Sequence, residues 1–275
     1  MSNKLNFVFF GGEPLAVPTL EKLYENGFMP MLIVASPDAK RGRGLLVQAS
    51  PVAIFAEKHN IPCLKPEKLD AEFTLKLSTF NFQLFVVVAY GKIIPKEILD
   101  MSRHGAINIH PSLLPKYRGP SPIVSAILNG DQETGVTIIR IDEEMDHGPI
   151  LAQEKLKLTG HEMIQDLEKT LGGLGSELLV KLLKTPIPDG VKQDDSQATY
   201  CKKIKKEDGL INLSDDTKEN NLKNYKKFRA YANWPRTFFF TDNKRIIITE
   251  AKLENDKFII EKIIPEGGKE INYKM

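Results

Sequence analysis

Three short apolar runs, at residues 5–10, 31–35 and 84–89, each give way to a segment of different periodicity, and this alternation restricts the fold more than any other feature. A run of that length without polar alternation reads as a strand buried on both faces. The first run ends in Gly11-Gly12-Glu13-Pro14, after which Val17, Leu20, Leu23 and Tyr24 recur at helical spacing up to Gly27. Residues 52–58 read as a second helix, with Ser50 as its cap and Pro51 in its first turn. Strands alternating with helices predict an α/β fold with a Rossmann-like, doubly wound, mostly parallel sheet. Ligands of such sheets bind beyond the carboxyl ends of the strands. Tyr90-Gly91 and His110-Pro111-Ser112 fall there.

A strand at 135–141, an extended stretch at 149–158 and a long amphipathic helix at 161–183 complete a first domain spanning 1–184. Residues 185–197 hold Pro186, Pro188 and Gly190 followed by polar residues, and read as a linker. Alternating segments at 237–240, 245–249 and 258–263 predict a smaller β-rich, OB-like domain over 198–275. Its abridged length is expected from the chain ending at Met275, soon after Glu266-Gly267-Gly268-Lys269.

With 41% apolar and 27% charged residues over 275 positions, the chain has the composition of an ordinary globular protein. No stretch approaches the length of a membrane span, and the N-terminus lacks the blocks of a signal peptide. A cytoplasmic protein with no membrane partner is therefore expected, and it is read as a monomer. Cys63 and Cys201 lie far apart with no CxxC spacing, which predicts reduced thiols. Residues 200–275 carry 17 Lys or Arg against 12 Asp or Glu, whereas the preceding residues carry 21 against 24. A basic tail domain on a faintly acidic body suits a nucleic-acid contact, and is also common without one.

Asn108 and His110 stand two apart in Ala106-Ile107-Asn108-Ile109, a run that reads as a strand, so both point to one face. Some thirty residues on, Asp142-Glu143-Glu144-Met145-Asp146-His147-Gly148 supplies carboxylates. Taken singly, each of these residues is as much at home in a satisfied strand or a turn. Together they place an amide, an imidazole and a carboxylate within reach of one site. The five histidines show no zinc spacing, and no metal is expected. Gly11-Gly12-Glu13-Pro14 lacks the GxGxxG spacing of a nicotinamide site, and Ser112 lacks a nucleophile-elbow context.

The chain resembles the folate-dependent formyltransferases. The resemblance rests on Asn108-x-His110-x-Ser112-Leu113-Leu114-Pro115, Asp142-Glu143-x-x-Asp146-x-Gly148, Val87-Val88-Ala89-Tyr90-Gly91, and Gly42-Arg43-Gly44 with Ser50-Pro51-Val52. Thr199-Tyr200-x-x-Lys203-Ile204 and Asn233-Trp234-Pro235 extend it, so that motifs run in order from about residue 6 to 240. It implies a metal-free transfer of the formyl group of 10-formyltetrahydrofolate to the α-amine of methionyl initiator tRNA. It further implies Asn108, His110 and Asp146 as catalytic groups, and a folate cleft made by Ala89, Tyr90, Gly91, Ile93, Pro95, Ser112, Leu113, Leu114, Pro115 and Asp142. Lys40, Arg41 and Arg43 match the loop that meets the tRNA acceptor end. Arginine suits that task because it pairs bidentately with phosphate and stacks on bases.

Departures from the pattern are Leu15 in place of an aromatic, His147 in place of threonine, and Lys116-Tyr117-Arg118-Gly119-Pro120-Ser121-Pro122 in place of a tryptophan-containing run. An N-formyltransferase of amino-sugar nucleotides would share the catalytic groups but not need the Gly42-Arg43-Gly44 loop. A non-catalytic tRNA-binding relative would not need Asn108, His110 and Asp146 together.

Overall fold

Phe7, Val8, Phe9 and Phe10 are all fully buried, which a strand achieves only in the middle of a sheet covered on both faces. They belong to β1 (Phe7–Gly11) of a computed structural model that describes residues 5–12, 14–41 and 46–273. The strand starts two residues later than the apolar run, because Asn6 is exposed and its backbone N–H donates to Gln83 Oε1 at 3.2 Å. Next come α1 (Ala16–Glu25), β2 (Leu32–Ala35), a small hairpin of β3 (Ala39–Arg41) and β4 (Leu46–Gln48), and α2 (Pro51–Lys58). The predicted cap of α2 is present, with the Ala53 N–H donating to Ser50 Oγ at 3.2 Å. β5 (Cys63–Leu64), α3 (Ala71–Ser78), β6 (Leu84–Val88), α4 (Lys96–Leu99) and β7 (Ala106–His110) follow. The chain continues through α5 (Pro122–Asn129), β8 (Glu133–Arg140), β9 (Ile150–Lys157) and α6 (Ile164–Leu183).

These strands form a seven-stranded sheet in the order β5-β2-β1-β6-β7-β8-β9. β1 pairs in parallel with β2 on one side and β6 on the other, whereas β7 and β8 run antiparallel. The chain thus winds outward from β1 in both directions and leaves a switch point between β1 and β6, where ligands of this architecture bind. Gly12 closes that point: its N–H donates to Val88 O at 3.0 Å, and a Cβ there would lie 2.1 Å from Ala89 O.

The chain divides into two compact units. One holds residues up to Arg118, Gly135–Lys155 and Lys169–Thr199; the other holds Gly119–Thr134, Leu156–Glu168 and Tyr200 onward. Within the first unit, the polar stretch 185–197 is tied down. Val191 and Ile150 exchange two backbone hydrogen bonds of 2.8 Å, and Gln193 is 4% exposed.

The second unit is built on α7 (Lys218–Ala230) and an antiparallel sheet of β10 (Phe238–Thr241), β11 (Lys244–Glu254), β12 (Lys257–Pro265) and β13 (Ile271–Asn272). Ile211, Phe228, Phe239, Ile246, Ile248 and Phe258 pack as its core. Sequence periodicity does not disclose α7, because its buried face includes Asn221 and Asn224. Asn224 Nδ2 donates to Asn212 O at 2.7 Å and Asn221 Oδ1 accepts from the Phe258 N–H at 3.2 Å, so their amides are satisfied inside. Among the described residues, no helix is long and apolar enough to cross a membrane.

Candidate active site

The alternation of β7 sets Asn108 and His110 side by side on one face, between β6 and β8. His110 is 4% exposed. Its Nε2 lies 2.9 Å from the carbonyl oxygen of Tyr117. A carbonyl only accepts, so Nε2 carries the proton, and Nδ1 is the ring atom left for chemistry. Nδ1 faces Asp146 Oδ1 at 3.6 Å, too long for a direct hydrogen bond and suited to a proton carried by a group between them. Asn108 is half-buried, and its side-chain amide makes no hydrogen bond to any described residue.

Asp146 sits at φ 53°, a left-handed conformation that Asp tolerates better than most residues. The turn around it is fastened at several points. Asp142 Oδ1 accepts from the Glu144 N–H at 3.0 Å, and Asp142 Oδ2 lies 2.7 Å from His147 Nδ1. That hydrogen bond is the main reason the His147 imidazole titrates above its ordinary value. On the other side, His147 Nε2 is 3.6 Å from Asp195 Oδ1, and the hydrogen bond from Arg118 holds the Asp195 carboxyl below the usual carboxylate range. Gly148 is needed for the close return of the chain, since a Cβ there would meet Arg140 O at 1.8 Å.

The Ser112–Pro115 turn is built from the inside. Ser112 is fully buried and its hydroxyl donates to Lys116 O at 2.6 Å, so the side chain shapes the turn. Leu114 is 3% exposed, whereas Leu113 and Pro115 are partly exposed.

At the end of β6, Ala89 and Gly91 both have positive φ, 50° and 76°, which turns the chain across the sheet edge. Tyr90 between them is 5% exposed, its ring edge-on to Phe10 at 5.2 Å, and burial pushes its phenol up to about 12. Ile93 is 85% exposed and Pro95 directly precedes α4.

The structure therefore brings His110 and Asp146 together, with Asn108 on the same strand face as His110. Lys40 and Arg41 lie in β3, Lys40 paired with Val47 of β4. Arg43 lies outside the described residues, as do the side chains of Lys40 and Arg41. Four residues escape sequence reasoning: Tyr117, Arg118, Gln193 and Asp195. Their partners stand many positions away, and the one local signal is a charged Arg118 held between Pro115 and Pro120. Among the described residues, no three His, Cys, Asp or Glu side chains converge as a metal site.

An amide, an imidazole and a carboxylate at the carboxyl edge of a doubly wound sheet form the kind of site that moves an acyl group between nitrogens. Residues 4–183 match the family described as Formyl transferase, and residues 203–273 match the Formyl transferase, C-terminal domain. The methionyl-tRNA formyltransferase of Thermotoga maritima is 40% identical over 246 residues, covering 88% of this chain and 77% of that protein. That of Thermodesulfovibrio yellowstonii is 37% identical over 250 residues, covering 90% of this chain and 80% of its own length. The crystal structure of WlaRD, a sugar 3N-formyl transferase with dTDP and 5-N-formyl-THF, shares the fold at TM-score 0.68 and 22% identity, covering 100% and 99% of the two chains. The chain belongs to the formyl transferase family, with the methionyl-tRNA formyltransferases as its relatives, and it is a formyltransferase enzyme.

Proposed function

We propose that this protein transfers the formyl group of 10-formyltetrahydrofolate to the α-amine of methionyl initiator tRNA, with Asn108, His110 and Asp146 carrying the chemistry. The observation that supports these roles is the 3.6 Å approach of His110 Nδ1 to Asp146 Oδ1 on the strand face that also carries the unengaged amide of Asn108. As the amine nitrogen bonds to the formyl carbon, the carbonyl electron pair moves onto oxygen, and the Asn108 N–H donates to that oxyanion. The attacking amine must lose a proton and the departing folate nitrogen must gain one. Asp146 accepts the first. That proton crosses the 3.6 Å gap from Asp146, through a group between them, to His110 Nδ1, which delivers it to the folate nitrogen while Nε2–H stays tied to Tyr117 O.

The folate is a co-substrate, and it supplies an activated formyl group. Ile93, largely exposed beside the Ala89-Tyr90-Gly91 turn, suits a flat ring that needs an apolar wall. Pro95, Ser112, Leu113, Leu114, Pro115 and Asp142 complete that cleft. Lys40, Arg41 and Arg43 meet the acceptor end of the tRNA, and the basic surface of residues 198–275 meets the tRNA elsewhere. Residues up to 184 carry the chemistry, with 185–197 between the two parts. In this reading the protein acts as a cytoplasmic monomer.

The test is a mass-resolved assay in which the pure protein meets 10-formyltetrahydrofolate with either methionyl initiator tRNA or an amino-sugar nucleotide. Formyl-methionyl-tRNA is the expected product. Formylation of the sugar nucleotide alone would overturn the acceptor assignment.

A further inference from the structure

Arg118 is among the largest fully buried side chains of the protein, at 2% exposure. A guanidinium out of water is costly unless its donors are engaged, so its partners show what it is there to hold. Nε and Nη2 both donate to Gln193 Oε1, at 3.1 and 2.9 Å, and Nη2 also donates to Asp195 Oδ1 at 2.7 Å. Gln193 is itself 4% exposed. Its Nε2 donates to the main-chain carbonyls of Asp146 and Gly148, at 2.8 and 2.9 Å. The residue before Arg118 supplies the carbonyl that receives His110 Nε2–H at 2.9 Å. One dipeptide, Tyr117-Arg118, therefore holds the imidazole directly and the carboxylate's turn through Gln193.

We propose that Arg118 and Gln193 are positioning residues for formyl transfer, fixing the main chain of Asp146 so that its carboxylate stays opposite His110 Nδ1. This inference rests on the reading of His110 and Asp146 as catalytic groups. The arrangement is directional. Arg118 has only donors, so it must meet the Gln193 oxygen; this turns the Gln193 amide, with its two N–H groups, toward the two carbonyls. Neither a lysine, with its point charge, nor a glutamate, with no donor, reproduces that relay. Asp146 at positive φ is the kind of backbone that persists only when its surroundings over-determine it, and Gln193 supplies two such constraints.

Gln193→Glu is the most discriminating variant. It keeps the acceptor for Arg118 and removes the two donated bonds, setting a carboxylate oxygen against carbonyl oxygens. The expected result is a fall in kcat of about tenfold to a hundredfold, the scale of a small misplacement of reacting groups. KM for the folate and for methionyl-tRNA should stay within about twofold, because neither substrate surface is touched. In an Asp146→Asn background, measured under single-turnover conditions, Gln193→Glu should cost less than about twofold, since the group it positions is gone. Gln193→Leu serves as the second variant if Gln193→Glu does not fold, with the same expected pattern. A kcat within twofold of wild type in a folded variant, or an undiminished loss in the Asp146→Asn background, overturns the proposal. If Asp146→Asn and His110→Ala themselves keep near-normal turnover, the catalytic reading falls instead.

Discussion

Thr137 and Ser112 are joined by a hydrogen bond inside the protein, the Thr137 hydroxyl donating to the Ser112 carbonyl at 2.7 Å with both residues fully buried. The Thr137 hydroxyl oxygen also accepts from the Leu114 N–H at 3.1 Å and from Gln153 Nε2 at 2.8 Å, so its single donor and both lone pairs are used. Gln153 Nε2 also reaches Leu114 O at 3.0 Å. A hydroxyl on β8 thus fixes the Ser112–Pro115 turn that follows β7.

Thr137→Val, nearly identical in shape, strands the Ser112 carbonyl and the Leu114 N–H in the interior. Its expected cost is about 1–3 kcal/mol of stability, the desolvation of unpaired buried groups. Denaturant unfolding should register this as a lower midpoint at unchanged m value. Thr137→Ser, which keeps the hydroxyl, should lose less. Equal stability of the valine variant and wild type would show that the turn is held by packing alone.

Asn108→Ala, His110→Ala and Asp146→Ala should each lower turnover by about a hundredfold or more, the usual scale for loss of an oxyanion donor or an acid/base group. Their combined loss should be less than additive, because the groups act on one intermediate. Steady-state and single-turnover kinetics on folded variants decide it. Near-normal turnover in any of the three removes that residue from the mechanism.

His147 titrates above its ordinary value of 6.5, chiefly because of the hydrogen bond with Asp142. The folded state therefore favours the protonated ring. The stability this adds is fully present below pH 6.5 and is lost as pH rises through the higher folded value. The stability advantage of wild type over His147→Gln should be greatest near about pH 6 and fade by about pH 9. NMR titration of the ring should report the raised value directly, and Asp142→Asn should bring it back down. A His147 ring that titrates at or below 6.5 would contradict the pairing.

Gly12→Ala would put a methyl group 2.1 Å from Ala89 O, so one of the two turns at the switch point must move. Overpacking of this kind costs about 1–3 kcal/mol. Because Ala89 stands at the edge of the proposed folate cleft, KM for 10-formyltetrahydrofolate should rise while KM for tRNA stays nearly unchanged. Both constants, read with the thermal midpoint, separate local displacement from general loss of stability. An unchanged folate KM would move the cleft away from Ala89.

Arg43→Ala, and to a smaller degree Arg41→Ala, should weaken tRNA binding and leave folate binding intact. Removing one arginine–phosphate pairing should reduce the salt slope of tRNA binding by roughly 0.7 to 0.9. Separate titrations of tRNA and folate at several salt concentrations give both quantities. Equal loss of folate binding in the Arg43 variant would assign the loop to the folate cleft.

Residues 7–10, 31–35 and 84–89 by themselves determined the buried strands of the sheet, because a strand buried on both faces has no polar positions and leaves an apolar run. The same-face placement of Asn108 and His110 was equally legible, since alternation along a strand is a local rule. Helix α7 was not, because asparagines with internal partners stand on its buried face and erase the apolar stripe. What only the tertiary structure decided is the company the polar side chains keep. His110 meets Tyr117 O seven residues on, and Arg118 meets Gln193 and Asp195 from 75 and 77 residues away. A hydrogen bond needs its partners within about 3 Å and in line. No periodicity encodes a distance set by how separate loops close over a sheet edge, so the polar stretch 185–197 reads as a linker until Gln193 is found buried beside Asp146.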